Sequence, residues 1–167
     1  MPSRRRTTRA RPATCGPRRG IVVGVIRALR PGDVSEVVAV LGLARLFQGD
    51  GFYLVDWRDD APTGHLHLAL TDPPEIQDVE VRASFRRQGI ATSLIAAAER
   101  ECAMRRVDVV RVTVSASNLT ASALYASLGY RDTGIPPRRV VGTVKIRTGP
   151  IEVDDVLVTL DKQLDPL

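Results

Sequence analysis

Arg86-Arg87-Gln88-Gly89-Ile90-Ala91 is the stretch of this 167-residue chain whose residue types and spacing suit a definite chemistry, the holding of an anion. A glycine there opens a run of helical apolar spacing directly after a β-like segment. The first N–H groups of a helix have no intrahelical partner, and the helix dipole favours negative charge beside them. Gly89 has no side chain to hold a phosphate away from the backbone. Arg86 and Arg87 add positive charge, and the small Ala91 lets the helix start lie close against a sheet. Taken alone, R-x-x-G-x-A equally describes a strand-to-helix turn that only needs a glycine. His65 and His67 alternate on one β-like run and so share a face. No third ligand accompanies them, so they read as core or surface histidines and no metal is expected. Cys15 and Cys102 have neither metal-ligand spacing nor a disulfide framework, which fits a reducing cytoplasm. Trp57 reads as packing or as the lining of a pocket.

The elements that must position these residues follow from periodicity and turn chemistry. Ile21–Ile26 is β-branched and predicts a strand. Asp33 is the expected N-cap of a helix carrying Val34, Val37, Val38, Leu41 and Ala44 at helical spacing, stopped at Gln48-Gly49-Asp50-Gly51. Phe52–Trp57 and His65–Leu70 read as a hairpin around a turn at residues 59–64, and Asp72-Pro73-Pro74 makes the next turn. Glu75–Val81 reads as a central strand. Gly89–Arg106 reads as a helix with Ile90, Leu94, Ile95, Ala98 and Cys102 on one face. Val107–Val114 is a Val-rich strand, and Asn118–Leu128 a short helix closed by Gly129. Val140–Ile146 and Val156–Leu160 are strand-like, with Gly149-Pro150 as a turn between them. This order is not the strict βαβα alternation of a doubly wound sheet.

Composition narrows the function classes. Residues 1–20 hold seven Arg and no acid and lack hydrophobic period, so they read as a disordered basic arm before a single domain over 21–167. The arm is either an incidental extension, a targeting segment, or the one part suited to nucleic acid or an anionic surface. The remainder is net −2, so the overall charge of +5 belongs to the arm. Residues 31–81 are net −8 and residues 82–147 net +8. That division either seats an anionic cofactor beside a cationic acceptor or is chance over a solvated surface. No apolar run approaches 18 residues, so no membrane span is expected.

Two motifs at a fixed separation make the reading specific. V-E-V-R-A-S-F-R-R-Q-G-I-A-T-S-L, Val79 to Leu94, resembles the acetyl-CoA-binding segment of GCN5-related N-acetyltransferases (the GNAT family). That signature is Gln or Arg, two residues, Gly, one residue, then Gly or Ala, filled here by Arg86, Gly89 and Ala91. One strand later, N-L-T-A-S-A-L-Y-A-S-L-G-Y resembles the family's second signature through Asn118, Ala123, Leu124, Tyr125, Gly129 and Tyr130. The resemblance covers roughly residues 20–164. It implies an α/β (α+β) fold with a mixed, mostly antiparallel sheet of six to seven strands flanked by helices.

The resemblance also implies a function. It is acetyl transfer from acetyl-CoA, as co-substrate, to a primary amine that attacks the thioester directly. The backbone of Arg86, Arg87, Gln88, Gly89, Ile90, Ala91 and Thr92 would hold the pyrophosphate. Val79 and Val81 would pair with the pantetheine arm where the strand splays away at a bulge that the sequence does not reveal. Asn118 would touch the pantetheine or a water beside it. Tyr125 would lie near the sulfur and protonate the leaving thiolate, or else simply pack. Glu75, Asp78 and Glu80 are the candidate bases on the cofactor strand. Glu75 and Glu80 are an odd number of positions apart, so on a regular strand they face opposite sides. The expected partner is a small-molecule or peptide amine. The segment from Gly134 to Ile151 departs from the short family layout and makes either a longer hairpin near the acceptor or the edge of a homodimer. The competing readings are an acyl-CoA-binding sensor without catalysis and a nucleic-acid binder acting through residues 1–20.

Overall fold

The computed structural model of the chain describes residues 24–43, 51–146 and 149–165. The basic arm with Cys15, the start of the first expected strand, and Ala44 with most of the stop signal after it lie outside the described residues. In chain order the elements are β1 (Val25–Ala28), α1 (Val34–Leu41), β2 (Gly51–Arg58), β3 (Ala61–Ala69), β4 (Glu75–Val81), α2 (Ile90–Met104), β5 (Val109–Ser115), α3 (Leu119–Ser127), β6 (Arg131–Asp132), β7 (Arg138–Ile146) and β8 (Gly149–Gln163).

The strands form one eight-stranded sheet in the order β1-β2-β3-β4-β5-β8-β6, with β7 also paired to β8. Every pairing is antiparallel except that of β4 with β5. The sheet exceeds the expected six to seven strands because Arg131–Asp132 pairs with Asp161 and Leu160, a two-residue strand too short to leave a periodic signal. The segment after Gly134 is a long hairpin of β7 and β8. Gly149-Pro150 belongs to β8 and is not a turn; proline is tolerated there as one of the first residues of a strand.

α2 and α3 cover one face. Ile90, Leu94, Ile95, Ala98 and Cys102 form the expected stripe on α2, and all are buried against Leu54, Leu66, Leu68, Ile76, Val110 and Val112. Burial pushes the Cys102 thiol up to about 11, which makes it a packing residue and not a nucleophile. α1 covers the opposite face through Val37, over Tyr53, Val55 and Trp57. Trp57 is a packing residue there, with the Arg27 guanidinium 4.4 Å above its ring. Asp33 does not cap α1 with its side chain. Its carboxylate pairs with Arg27 and accepts the Arg30 N–H at 3.2 Å, closing a 3-10 turn that leads into the helix.

The β2–β3 turn is tighter than residues 59–64. Asp59 and Asp60 alone make it, both at positive φ (48° and 61°), which matches the twist a two-residue hairpin needs. Pro62 and Gly64 therefore sit within β3. A Cβ at Gly64 would come within 2.9 Å of the Glu80 carbonyl and 3.2 Å of Ile90, so glycine there allows β4 and α2 to approach. Among the described residues no helix is long and apolar enough to cross a membrane.

Candidate active site

The site begins with a fault in the sheet. β4 and β5 run parallel but pair only at Glu75 with Arg111 and Ile76 with Val112. Just beyond, the β3–β4 register shifts: His67 faces Gln77 and His65 faces Glu80, leaving one extra residue on β4. Asp78, at φ 51°, takes up the irregularity. Past it, Arg82 N–H reaches the Thr63 carbonyl at 2.9 Å, so ladder alternation turns the peptide groups of Val79 and Val81 away from β3. A gap opens on that side, where the Arg86 Nε–H donates to the Val81 carbonyl at 3.1 Å.

The bulge reverses the sequence expectation for the carboxylates. Cross-strand partners share a face, and Glu75, Gln77 and Glu80 lie opposite Ala69, His67 and His65, which alternate regularly on β3. All three therefore stand on the α1 face, because the added residue makes an odd separation behave as an even one. Glu75 accepts a hydrogen bond from Gln77 Nε2 at 3.1 Å, and Gln77 Oε1 lies 3.3 Å from His67 Nδ1.

The turn after β4 supplies the anion chemistry. A 3-10 turn at Ala83–Phe85 leads to Arg86, then Arg87 and Gly89 at positive φ (62° and 77°), with Gly89 as the N-cap of α2. The first bond of the helix is Ser93 N–H to Gly89 O at 3.0 Å. Six consecutive N–H groups, from Arg87 to Thr92, have no acceptor among the described residues. They cluster at the positive end of a 15-residue helix. Gln88 turns its side chain away to accept from Arg58, itself held by the buried Asp56, which Thr63 also bonds.

α3 forms the opposite wall. The Asn118 side chain caps this helix, accepting the Ala121 N–H at 3.0 Å. Tyr125 is 7 % exposed and packs edge-on against Tyr130, with ring centres 5.4 Å apart. Tyr130 is anchored in turn: its hydroxyl donates to Glu99 at 3.0 Å, and Lys162 holds the other oxygen of Glu99 at 2.7 Å. Burial pushes the Tyr125 phenol up to about 12, and its hydroxyl has no hydrogen-bond partner among the described residues.

Between these walls lies a cleft of about 1050 Å³. It gathers Val79, Glu80, Val81, Arg86, Arg87, Gly89, Ile90, Ala91, Thr92, Asn118 and Tyr125. Glu75 and Gln88, also singled out in the sequence, do not line it. A second cavity of about 400 Å³ lies on the α1 side, bounded by Val40, Leu41, His65, Glu80, Arg82, Ala83 and Ser84. Glu80 lines both cavities. His65 and His67 share the expected face and are buried at 1 % and 3 % exposure beside the Tyr53 ring. Among the described residues no group of three or more ligand-type side chains is placed to hold a metal ion. Sequence reasoning missed Arg82 and the place of His65 beside Glu80, since both depend on strand register.

A mostly antiparallel sheet whose parallel pair is splayed by a bulge, with a donor-rich helix start at the gap, matches the GNAT fold. The chain belongs to the GNAT acetyltransferase family: the profile described as "Acetyltransferase (GNAT) domain" matches residues 33–147. No curated protein matches the chain. Solved structures share the fold at low identity. The ribosomal-protein-S18-alanine N-acetyltransferase of Escherichia coli aligns at 18% identity and a TM-score of 0.67, over 87% of this chain and 96% of that one. A GNAT family acetyltransferase from Elizabethkingia anophelis, solved with acetyl-CoA bound, aligns at 15% identity and a TM-score of 0.66, over 84% and 98%. An IAA acetyltransferase from Bacillus cereus aligns at 19% identity and a TM-score of 0.64, over 85% and 100%.

Proposed function

We propose that the protein transfers the acetyl group of acetyl-CoA to a primary amine, with Tyr125 as the acid and Glu80 as the base. The observation that carries this reading is the row of N–H groups from Arg87 to Thr92, without acceptors among the described residues and belonging, Gln88 apart, to residues that line the same cleft as a buried phenol. The cradle suits the diphosphate of coenzyme A, since free donors at a helix start favour an anion. Arg86 and Arg87 add charge at its mouth. Val79 and Val81 offer peptide groups to an extended amide-bearing arm, as an added strand would, and Asn118 lies across the cleft from them. The co-substrate supplies an acetyl group already activated as a thioester.

The chain's own residues manage two protons. An amine of ordinary pKa is uncharged in only about one molecule per thousand at pH 7. A positioned base raises the rate by about 10²–10⁴-fold. Glu80 is assigned that role because it alone among the candidate carboxylates borders both cavities; Glu75 borders neither. Glu80 passes the ammonium proton on to solvent. The neutral amine forms the C–N bond as the C–S bond breaks, and its excess proton goes to Glu80. Tyr125 gives its hydroxyl proton to the departing sulfur, and the proton on Glu80 returns to the Tyr125 phenolate through solvent. A phenol at about 12 stays protonated throughout the working range. The thiolate would form in the same desolvating surroundings, which raise its proton affinity as well, so donor and acceptor shift together.

Isothermal titration with acetyl-CoA, followed by thiol release over a panel of amines, tests the reading. Micromolar binding is expected, with Tyr125→Phe retaining affinity while losing most turnover. No binding at tens of micromolar would overturn it. Binding without thiol release from any amine would leave a cofactor sensor instead.

A further inference from the structure

We propose that the α1-side cavity admits an amine that carries its own carboxylate, an apolar α-amino acid or an amphoteric amine of that size, and does not serve a polyamine. This rests on the acetyl-transfer reading and names its substrate class.

Glu80 and Arg82 are two residues apart on one side of the chain, past the bulge, and both line the 400 Å³ cavity. A strand advances about 3.3 Å per residue, which sets their backbones about 6.6 Å apart. They make no ion pair with each other, and neither has a charged partner among the described residues. The Arg82 guanidinium has one long hydrogen bond, to the Pro62 carbonyl at 3.5 Å, and lies 5.4 Å from the Phe85 ring centre. Its remaining donors form the planar fork that matches a carboxylate. A carboxylate and a guanidinium left apart at this spacing complement an ammonium and a carboxylate attached to one carbon of a ligand. The ammonium is thereby delivered to Glu80, on the wall shared with the cofactor cleft. Val40 and Leu41 of α1 supply an apolar surface for the side chain, and Ser84 a further polar contact.

The same composition disfavours polycations. Of the described acids between residues 31 and 81, only Glu80 lines either cavity. Asp33 is engaged by Arg27, Asp56 is buried with Arg58 and Thr63, and Asp59 and Asp60 form the hairpin tip. The acidic bias of this half of the chain is thus dispersed. A second ammonium in the cavity would confront Arg82.

The test is thiol release by the full chain at saturating acetyl-CoA, with L-leucine and the other apolar amino acids, leucinamide, isoamylamine and spermidine as acceptors. A charge-assisted hydrogen bond is worth about 10- to 100-fold, so the best amino acid should exceed its decarboxylated amine by about 100-fold in kcat/KM. Arg82→Ala should erase that preference, bringing the two acceptors within about threefold at unchanged acetyl-CoA affinity, and Arg82→Lys should restore part of it. Spermidine or isoamylamine turned over as well as the amino acid would overturn the proposal. So would equal use of leucinamide, which would point to peptide N-termini, or no turnover of any amino acid. Acetyl-CoA affinity measured in parallel separates this failure from failure of the acetyl-transfer reading, which alone predicts that binding.

Discussion

Gly89→Ala separates a diphosphate cradle from a turn that merely requires glycine. Gly89 is at φ 77°, and an L side chain in the left-handed region costs about 1–2 kcal/mol. A chain of this length loses about 2–4 °C of Tm per kcal/mol, so a fall of about 2–8 °C is expected. Beyond its own neighbours along the chain the added Cβ would meet nothing within 4 Å, so backbone strain and not a clash sets the stability effect. Gly89 nevertheless lines the cleft, between N–H donors on either side. A methyl there that keeps a diphosphate from two of these donors, each worth about 1.5–3 kcal/mol to a charged acceptor, removes about 3–6 kcal/mol of binding. That corresponds to a loss of about 10²–10⁴ in acetyl-CoA affinity. Scanning calorimetry reads the first quantity and titration calorimetry the second. Gly89→Asn is the control, since asparagine tolerates positive φ better: it should unfold closer to the wild type yet bind as poorly as the alanine variant. If Gly89→Ala loses its few degrees but binds acetyl-CoA within threefold of the wild type, the cradle assignment is refuted.

Glu80→Gln should lower kcat by about 10²-fold or more at neutral pH and recover part of it as the pH rises and the amine deprotonates unaided. Glu75→Gln should leave the pH profile in place; the opposite pattern in a pH–rate series would reassign the base. Activity should not fall up to about pH 10 through ionisation of Tyr125, because burial holds that phenol near 12 and the protonated form is the donor. Loss of turnover tracking a phenolate absorbance at lower pH would refute that role. Asn118→Ala should cost about 1 kcal/mol through loss of the α3 cap. If acetyl-CoA affinity falls as well, by more than the unfolded fraction explains, Asn118 also contacts the ligand.

Much of this architecture could be read in the residues, and the misreadings have definite causes. The α2 stripe and the glycine stop of α3 are set by local periodicity and backbone freedom, which a linear reading captures; Gly129 is at φ 94°. Pro62, Gly64 and Gly149-Pro150 were expected as turns and lie in strands, because their places are decided by neighbouring strands rather than by their own preferences. The faces of Glu75 and Glu80 could not be read, since parity fails once Asp78 adds a residue and nothing in the composition marks the bulge. The link from Tyr130 to Glu99 and Lys162 joins residues 31 and 63 positions apart, beyond any local signal.

The parting of β4 from β5 also bears on solubility. A strand with unpaired peptide groups usually lies at the margin of a sheet, where it can template the addition of another chain and seed aggregation. This protein places such a segment inside its sheet, at Val79–Val81, flanked by β3 on one side and faced across the cleft by α3. A foreign β-strand would need a run of open margin, and only the short stretch beyond Asp78 is offered before the chain turns at Ala83–Phe85. Arg86 already occupies one acceptor there from its own chain. The opening is therefore too short to template a foreign strand, while its hydrogen-bonding groups still face the cleft.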